Sequence, residues 1–96
     1  DEAVDASACY VMPVLLDDPD RQAPVREALR DRHGVQTSLL YPPVHRFTAY
    51  VQRLGELSLP RTEDASAREL TVPLFPHLSH ADQDRVVAAL RAELAA

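Results

Sequence analysis

The side chains best suited to chemistry gather around residues 41–45, which read YPPVH. The imidazole of His45 can exchange a proton near neutral pH, and it follows two prolines that turn the chain out into a loop. Arg46 and Arg53 lie seven residues apart, so they share one side if a helix follows this loop. Two guanidinium groups there would attract an anion such as a diphosphate or a carboxylate. These residues, with Tyr41, form the candidate binding site.

Each of these residues also has a structural interpretation that the sequence leaves open. His45 can cap the adjoining helix or pack on Tyr41 instead of meeting a ligand. Arg46 and Arg53 can be solvated surface charges. The sequence therefore locates a candidate site without deciding between binding and structure.

Two further groupings are better explained by structure than by chemistry. His77 and His80 lie three residues apart, but no cysteine or third ligand is near in sequence, so we expect surface positions beside a helix start and no metal site. Glu63 and Asp64 suit the amino terminus of a helix, where the dipole favours acidic side chains. Acid–base catalysis by that pair is the weaker interpretation.

Composition excludes several classes of function. The chain has 96 residues, 46% hydrophobic and 26% charged, with a net charge of −5, which fits one small folded domain. The acidic balance argues against nucleic acid, which requires a clustered basic face. No apolar run approaches the ~20 residues of a membrane span. The single cysteine, Cys9, has apolar neighbours that predict a buried thiol, and a lone cysteine favours a reducing, cytoplasmic compartment.

The hydrophobic pattern predicts the order β, α, β, short α, α, β, α. Strands are predicted over residues 8–16, 35–40 and 70–74 because these runs are rich in apolar and β-favouring side chains. Pro13 cannot donate to a ladder, which favours an edge position or a bulge. Helices are predicted from Pro24 to a cap at His33 and Gly34, over about 46–54, and from 62 to about 69.

The last helix is predicted to begin at Ser79, whose hydroxyl can cap it with Asp82 three residues on. Its apolar stripe comprises four side chains: Val86, Val87, Leu90 and Leu94. The polar side chains of the helix are expected to face water: Asp84, Arg85, Arg91 and Glu93.

In this order the motifs resemble the C-terminal small domain of the DegT/DnrJ/EryC1/StrS aminotransferases. In that family a helix ending in glycine leads to a strand, to a loop of the pattern His-Tyr-x-Pro-x-His, and later to a Leu-Ser-Leu-Pro-like strand before a final helix. The matching segments here are GVQT at 34–37, YPPVH at 41–45, LPRTE at 59–63, LTVPLFP at 70–76 and LS at 78–79. Leu40 stands where the family has its first loop histidine, so any substrate contact of that position is lost or moved.

The resemblance implies a parent enzyme that uses pyridoxal phosphate (PLP) to transfer an amino group onto keto-sugars carried on nucleotides. The loop of His45 would then reach the mouth of the active site, where the imidazole meets sugar hydroxyls or phosphate. Such chemistry needs a lysine that condenses with the cofactor aldehyde, and arginine cannot replace it. All ten Lys and Arg residues here are arginine, so we expect this segment alone to bind no cofactor and to have no catalytic residue.

We therefore predict an α+β fold with a small, mainly antiparallel sheet of three or four strands. Helices are expected on one face, and the other face is expected to be open to a partner domain. Residues 1–96 would form one domain, the C-terminal part of a longer aminotransferase. Its partners would be a large N-terminal PLP-binding domain, a second copy in a homodimer, and a nucleotide sugar. The alternative is a free-standing binding or interaction module that keeps this fold without the enzyme.

Overall fold

The computed structural model describes residues 10–95, and this part of the chain folds as an α+β unit, as predicted. Two strands and four helices follow in the order β1 (Met12–Leu15), α1 (Gln22–His33), α2 (Thr48–Leu54), α3 (Pro60–Arg68), β2 (Glu69–Val72) and α4 (His80–Ala95). Short 3-10 turns precede α1 at Pro19–Arg21 and α2 at Val44–Arg46. Cys9 and the beginning of the first predicted strand lie outside the described residues.

The sheet pairs β1 with β2 in antiparallel register, with Met12 opposite Val72. Pro13 lies opposite Thr71, whose backbone N–H and carbonyl both bond to Ser38 on the other side, at 2.8 and 3.0 Å. The pair of Pro13 and Thr71 therefore needs no ladder hydrogen bond, and the missing proline N–H costs nothing there. Within residues 10–95, β1 is an edge strand, as Pro13 predicts.

The predicted sheet of three or four strands is not confirmed, because the described residues contain two. The strand expected over residues 35–40 is reduced to one bridge between Ser38 and Thr71. In that register, the next hydrogen-bonded pairs would join residue 36 to Pro73 and residue 40 to Glu69. Pro73 has no N–H to donate, and the Glu69 carbonyl already accepts a 2.6 Å hydrogen bond from the Gln22 side chain. The pair of residue 36 with Pro73 would therefore lack one of its two hydrogen bonds, and the Gln22 side chain competes for the Glu69 carbonyl in the other pair.

The core lies where α1, α4 and β2 meet. Its buried side chains come from five segments of the chain: Leu16, Val25, Leu29, Val35, Leu70 and Ala89. Helix α1 ends at Gly34, which adopts a left-handed conformation with φ of 66° and donates its N–H to the Arg30 carbonyl at 3.2 Å. This sharp ending returns the chain to the core within one residue, as the predicted cap requires.

The remaining helices form close to their predicted positions. Helix α3 begins at Pro60, two residues before the predicted start, because proline suits the first turn. Ser79 caps α4 as predicted, accepting the backbone N–H of Asp82 at 3.1 Å. Two expectations for α4 are wrong: Val87 is exposed, and Glu93 is buried beside side chains from the end of α1.

Much apolar surface remains uncovered on the outside of this fold. The exposed side chains include residues of β1, of the proline loop and of α2: Met12, Leu15, Tyr41, Val44, Phe47, Tyr50 and Leu54. No helix in the part of the chain that the structure describes is both long and apolar enough to span a bilayer.

Candidate functional site

The loop before α2 directs two neighbouring side chains in opposite directions. The 3-10 turn Val44–Arg46 is closed by hydrogen bonds from Arg46 to the Pro43 carbonyl at 2.9 Å and from Phe47 to the Val44 carbonyl at 3.0 Å. Because this turn is tight, the His45 side chain points inward and is 5% exposed, while the Arg46 side chain is 62% exposed. The turn thus separates a buried imidazole from an exposed guanidinium.

Glu63 joins these two side chains from the first turn of α3. Its Oε1 lies 3.3 Å from His45 Nε2 and also accepts a hydrogen bond from the Arg46 guanidinium. Arg46 first, and His45 second, hold the pKa of the Glu63 carboxyl below its usual range. An ionised carboxylate only accepts hydrogen bonds, so Nε2 is the ring nitrogen that donates to Glu63. We call His45, Arg46 and Glu63 the Glu63 cluster.

Within the part of the chain that the structure describes, the other ring nitrogen of His45, Nδ1, is buried without a hydrogen-bond partner. A proton on this nitrogen would be a buried donor without an acceptor, which is unfavourable. The polar contact of the ring with Glu63 therefore runs through Nε2.

Two neighbouring cavities share the Glu63 cluster. The first has a volume of about 470 Å³ and is lined by His45, Arg46, Val51, Glu56, Leu57, Ser58 and Glu63. The second, of about 460 Å³, is more apolar and is lined by Leu39, Tyr41, Pro42, Pro43, Arg46, Glu63, Ser66 and Ala67. Since Arg46 and Glu63 line both, their ion pair stands on the boundary between a polar cavity and an apolar one.

The structure brings together most, but not all, of the predicted site residues. Tyr41 is exposed and lines the apolar cavity, and its carbonyl accepts a hydrogen bond from the Ser66 hydroxyl at 3.4 Å. Arg53 is exposed on α2 and lines neither cavity. The half-buried Leu40 lies on a third, smaller cavity of about 380 Å³ that also includes Tyr41. The loop and its arginine therefore share one surface, while Arg53 stands apart.

Glu63 is the residue that sequence reasoning missed. It lies 18 residues after His45, so no local spacing joins the two, and its helix-start position already had a sufficient explanation. The LPRTE segment at 59–63 and the acidic pair Glu63 and Asp64 pointed to this helix start, but neither pointed to His45. The observed partner of His45 is thus neither Tyr41 nor the adjoining helix.

The chemistry that this arrangement supports is binding. It offers an exposed cation, a carboxylate with one oxygen engaged twice, and an apolar surface beside them. Within residues 10–95, no three His, Cys, Asp or Glu side chains are grouped closely enough to hold a metal ion. His77 and His80 are both exposed at the start of α4.

A sequence profile of the DegT/DnrJ/EryC1/StrS aminotransferase family matches residues 1–91. Among solved structures, the aminotransferase TlmJ from Streptoalloteichus hindustanus is 36% identical, with a TM-score of 0.79 over 90% of this chain. NtdA from Bacillus subtilis, solved with the bound cofactor PMP, is 26% identical with a TM-score of 0.78, again over 90%. PseC from Helicobacter pylori, an aminotransferase involved in the biosynthesis of pseudoaminic acid, shares the fold at a TM-score of 0.80 over 88%, with 18% identity.

The likeness covers nearly all of this chain and only a small part of each solved protein. The chain spans 20% of NtdA, 22% of TlmJ and 23% of PseC. About four fifths of each of those proteins therefore has no counterpart in these 96 residues.

Proposed function

This chain belongs to the DegT/DnrJ/EryC1/StrS aminotransferase family, and we propose that it is the C-terminal domain of a cytoplasmic, PLP-dependent nucleotide-sugar aminotransferase. The observation that carries this proposal is how much of each protein the matches cover. The family profile spans residues 1–91, whereas the chain matches only about a fifth of each solved aminotransferase. The remaining part, which includes the large domain, would supply the cofactor site.

The residues of this chain do not fit a covalent role toward the cofactor. When bound, PLP supplies an aldehyde for amino transfer and an electron sink. The sequence contains no lysine, so it offers no side-chain amine for that aldehyde. PMP is bound in NtdA, which extends well beyond the part that this chain matches. We therefore assign this chain to substrate binding and assembly.

For substrate binding we propose the residues around the proline loop. Arg46 is the exposed cation at the two cavities and would meet an anionic group of the substrate. Tyr41 lines the apolar cavity and would pack against the ligand. His45 is buried, so it would act through Glu63, which it holds in place. Arg53, exposed on α2, would meet the substrate only if α2 borders the complete active site.

For assembly we propose the uncovered apolar surface. Exposed aromatic and aliphatic side chains on β1 and α2 are typical of surfaces that pack against another domain or subunit. The large domain and the second subunit of a homodimer would cover them. Phe47, directly before α2, and Tyr50, in its first turn, are aromatic members of this surface.

The test uses the full-length protein that contains this chain, with the 96-residue chain as the comparison. We expect the full-length protein with PLP to develop visible absorbance from bound cofactor and to transfer an amino group from an amino acid to a nucleotide-linked keto-sugar. The chain alone should do neither, since it has no lysine. A gene that encodes only these residues, or a full-length protein without transaminase activity, would contradict the proposal and favour the free-standing binding module.

Within that enzyme, His45→Asn tests the role of the loop. We expect an approximately ten-fold rise in KM for the nucleotide sugar, the loss of about one hydrogen bond, with a smaller change in kcat. His77→Asn, at an exposed histidine outside the two cavities, is the matched control and should leave both constants unchanged. Equal effects of the two substitutions on KM would show that His45 has no specific role in substrate binding.

A further inference from the structure

Arg46 is accessible but already paired. Its guanidinium donates to Glu63 Oε1, and the two side chains are 62% and 26% exposed. Ion pairs at this level of exposure are weak, because water solvates both groups well when they separate. An oxyanion that enters either cavity meets Arg46 in competition with Glu63, which is paired with it, and the polar cavity also has Glu56 on its lining.

Glu63 keeps a second partner when Arg46 leaves it. His45 Nε2 lies 3.3 Å from the same oxygen, Oε1, and the ring is almost completely buried. With Nδ1 enclosed and unpartnered, the contact with Glu63 is the one polar contact of this ring within residues 10–95. The carboxylate is therefore anchored from the interior, while the arginine is held only from the exterior.

We propose that the Glu63 carboxylate fills the place on the Arg46 guanidinium where a ligand anion binds. A phosphate or a carboxylate of the ligand then displaces Glu63 from Arg46. The guanidinium then exchanges one oxyanion for another, and its planar set of donors can bind either type through two hydrogen bonds. Glu63 remains on His45 and excludes a second anion from the boundary between the cavities. The identity of the ligand rests on the proposed function, since a nucleotide sugar carries phosphate and an amino donor carries carboxylate.

The experiment measures binding of two probes to the full-length protein with its cofactor bound. Pyrophosphate represents a phosphate source and glutarate a carboxylate source. We expect Glu63→Gln to tighten binding of at least one probe about five-fold. This factor corresponds to the Coulomb interaction between two unit charges about 4 Å apart in water. Calorimetry at low salt is suitable, because the competition is electrostatic.

Asp64→Asn is the matched control. It removes the same charge from the next position of α3, but the Asp64 carboxylate pairs with Arg68 at 2.8 Å and lines neither cavity. Its effect on probe affinity should be less than about two-fold. Arg46→Gln combined with Glu63→Gln should abolish the gain, because the gain requires the guanidinium.

The outcomes separate the alternatives. A gain with pyrophosphate alone identifies a phosphate ligand, and a gain with glutarate alone identifies a carboxylate. The proposal is overturned if neither probe binds more tightly, if Asp64→Asn gives an equal gain, or if the gain survives without Arg46. A protein that shows the gain but does not transaminate would refute the proposed function and leave the displacement standing, whereas an active enzyme without the gain would refute the displacement only.

Discussion

Two clusters in this chain use the same three side-chain types, a glutamate beside an adjacent histidine and arginine, yet they are built in opposite ways. The first lies between the ends of α1 and α4, where Glu93 contacts His33 Nε2 at 3.1 Å and Arg32 Nη1 at 3.4 Å. Arg21 closes the same end by donating to the Glu93 and Leu94 carbonyls at 2.9 and 3.0 Å. Here the carboxylate is buried, at 9% exposed, and the side chains of Arg32 and His33 both contact it.

The Glu63 cluster reverses this arrangement. Its histidine is buried, its carboxylate is partly exposed, and its arginine lies outermost on two cavities. A buried carboxylate must keep its partners, because the interior offers no water to replace them. A partly exposed carboxylate can exchange them. The same three groups therefore fasten two helices in one place and leave a displaceable contact in the other.

The largest effect expected from this comparison is on stability at the first cluster, formed by Glu93, His33 and Arg32, which we call the Glu93 cluster. Glu93→Ala should lower the local free energy of opening of α1 and α4 by about 2 kcal/mol, since it removes hydrogen bonds to a buried charge. Hydrogen exchange of the backbone amides in the full-length protein measures this directly. Glu27→Ala, at an exposed position on α1, serves as the control. If Glu63→Ala lowers the free energy of opening of α3 as much as Glu93→Ala lowers that of α1 and α4, the contrast between the two clusters is wrong.

A smaller effect is expected from pH at the Glu63 cluster. The folded-state pKa of Glu63 is depressed by Arg46 first and by His45 second. Its contribution to stability is therefore fully present above the unfolded-state pKa of about 4.3 and is lost as the pH falls through the folded-state value. The difference in urea midpoint between wild type and Glu63→Gln should be constant near neutral pH and disappear in acid. A difference that grows as the pH falls would have the opposite sign and would exclude an ionised, stabilised carboxylate.

The smallest stability changes are expected at the two exposed arginines. Arg32→Gln and Arg46→Gln should each cost less than about 1 kcal/mol, because both side chains are mostly solvated. The two substitutions should differ in their effect on substrate binding. Only Arg46→Gln should weaken the full-length enzyme's affinity for a nucleotide sugar, as measured by KM. Equal effects of the two on KM would show that general surface charge, and not the cavity position, attracts the substrate.

Local features of the sequence were sufficient for most of the helices and for the family. Gly34 ends α1 and Ser79 caps α4 because a left-handed turn and a hydroxyl acceptor depend only on neighbouring residues. The proline loop at 41–45 was located in the same way, and it lies on the candidate site with Tyr41 and Arg46. The ordered motifs indicated the aminotransferase family, which the profile match shows.

The sequence failed where distant segments compete for the same groups. The strand expected at 35–40 is reduced to one bridge, beside which Gln22 competes for the Glu69 carbonyl and Pro73 supplies no donor. Glu93 was expected in water, yet the end of α1 folds over it. These errors share one cause, since partners 47 to 61 residues away leave no periodic signal in the chain.

What the sequence by itself determined is the local backbone, through caps, prolines and apolar spacing, and the absence of any lysine amine for the cofactor chemistry. What only the tertiary structure decided is which charges are buried and which remain exchangeable. Burial is set by the packing of whole elements, and it alone makes Glu93 a fastening group and Glu63 a displaceable one. The two glutamates have the same chemistry, and their surroundings give them different roles.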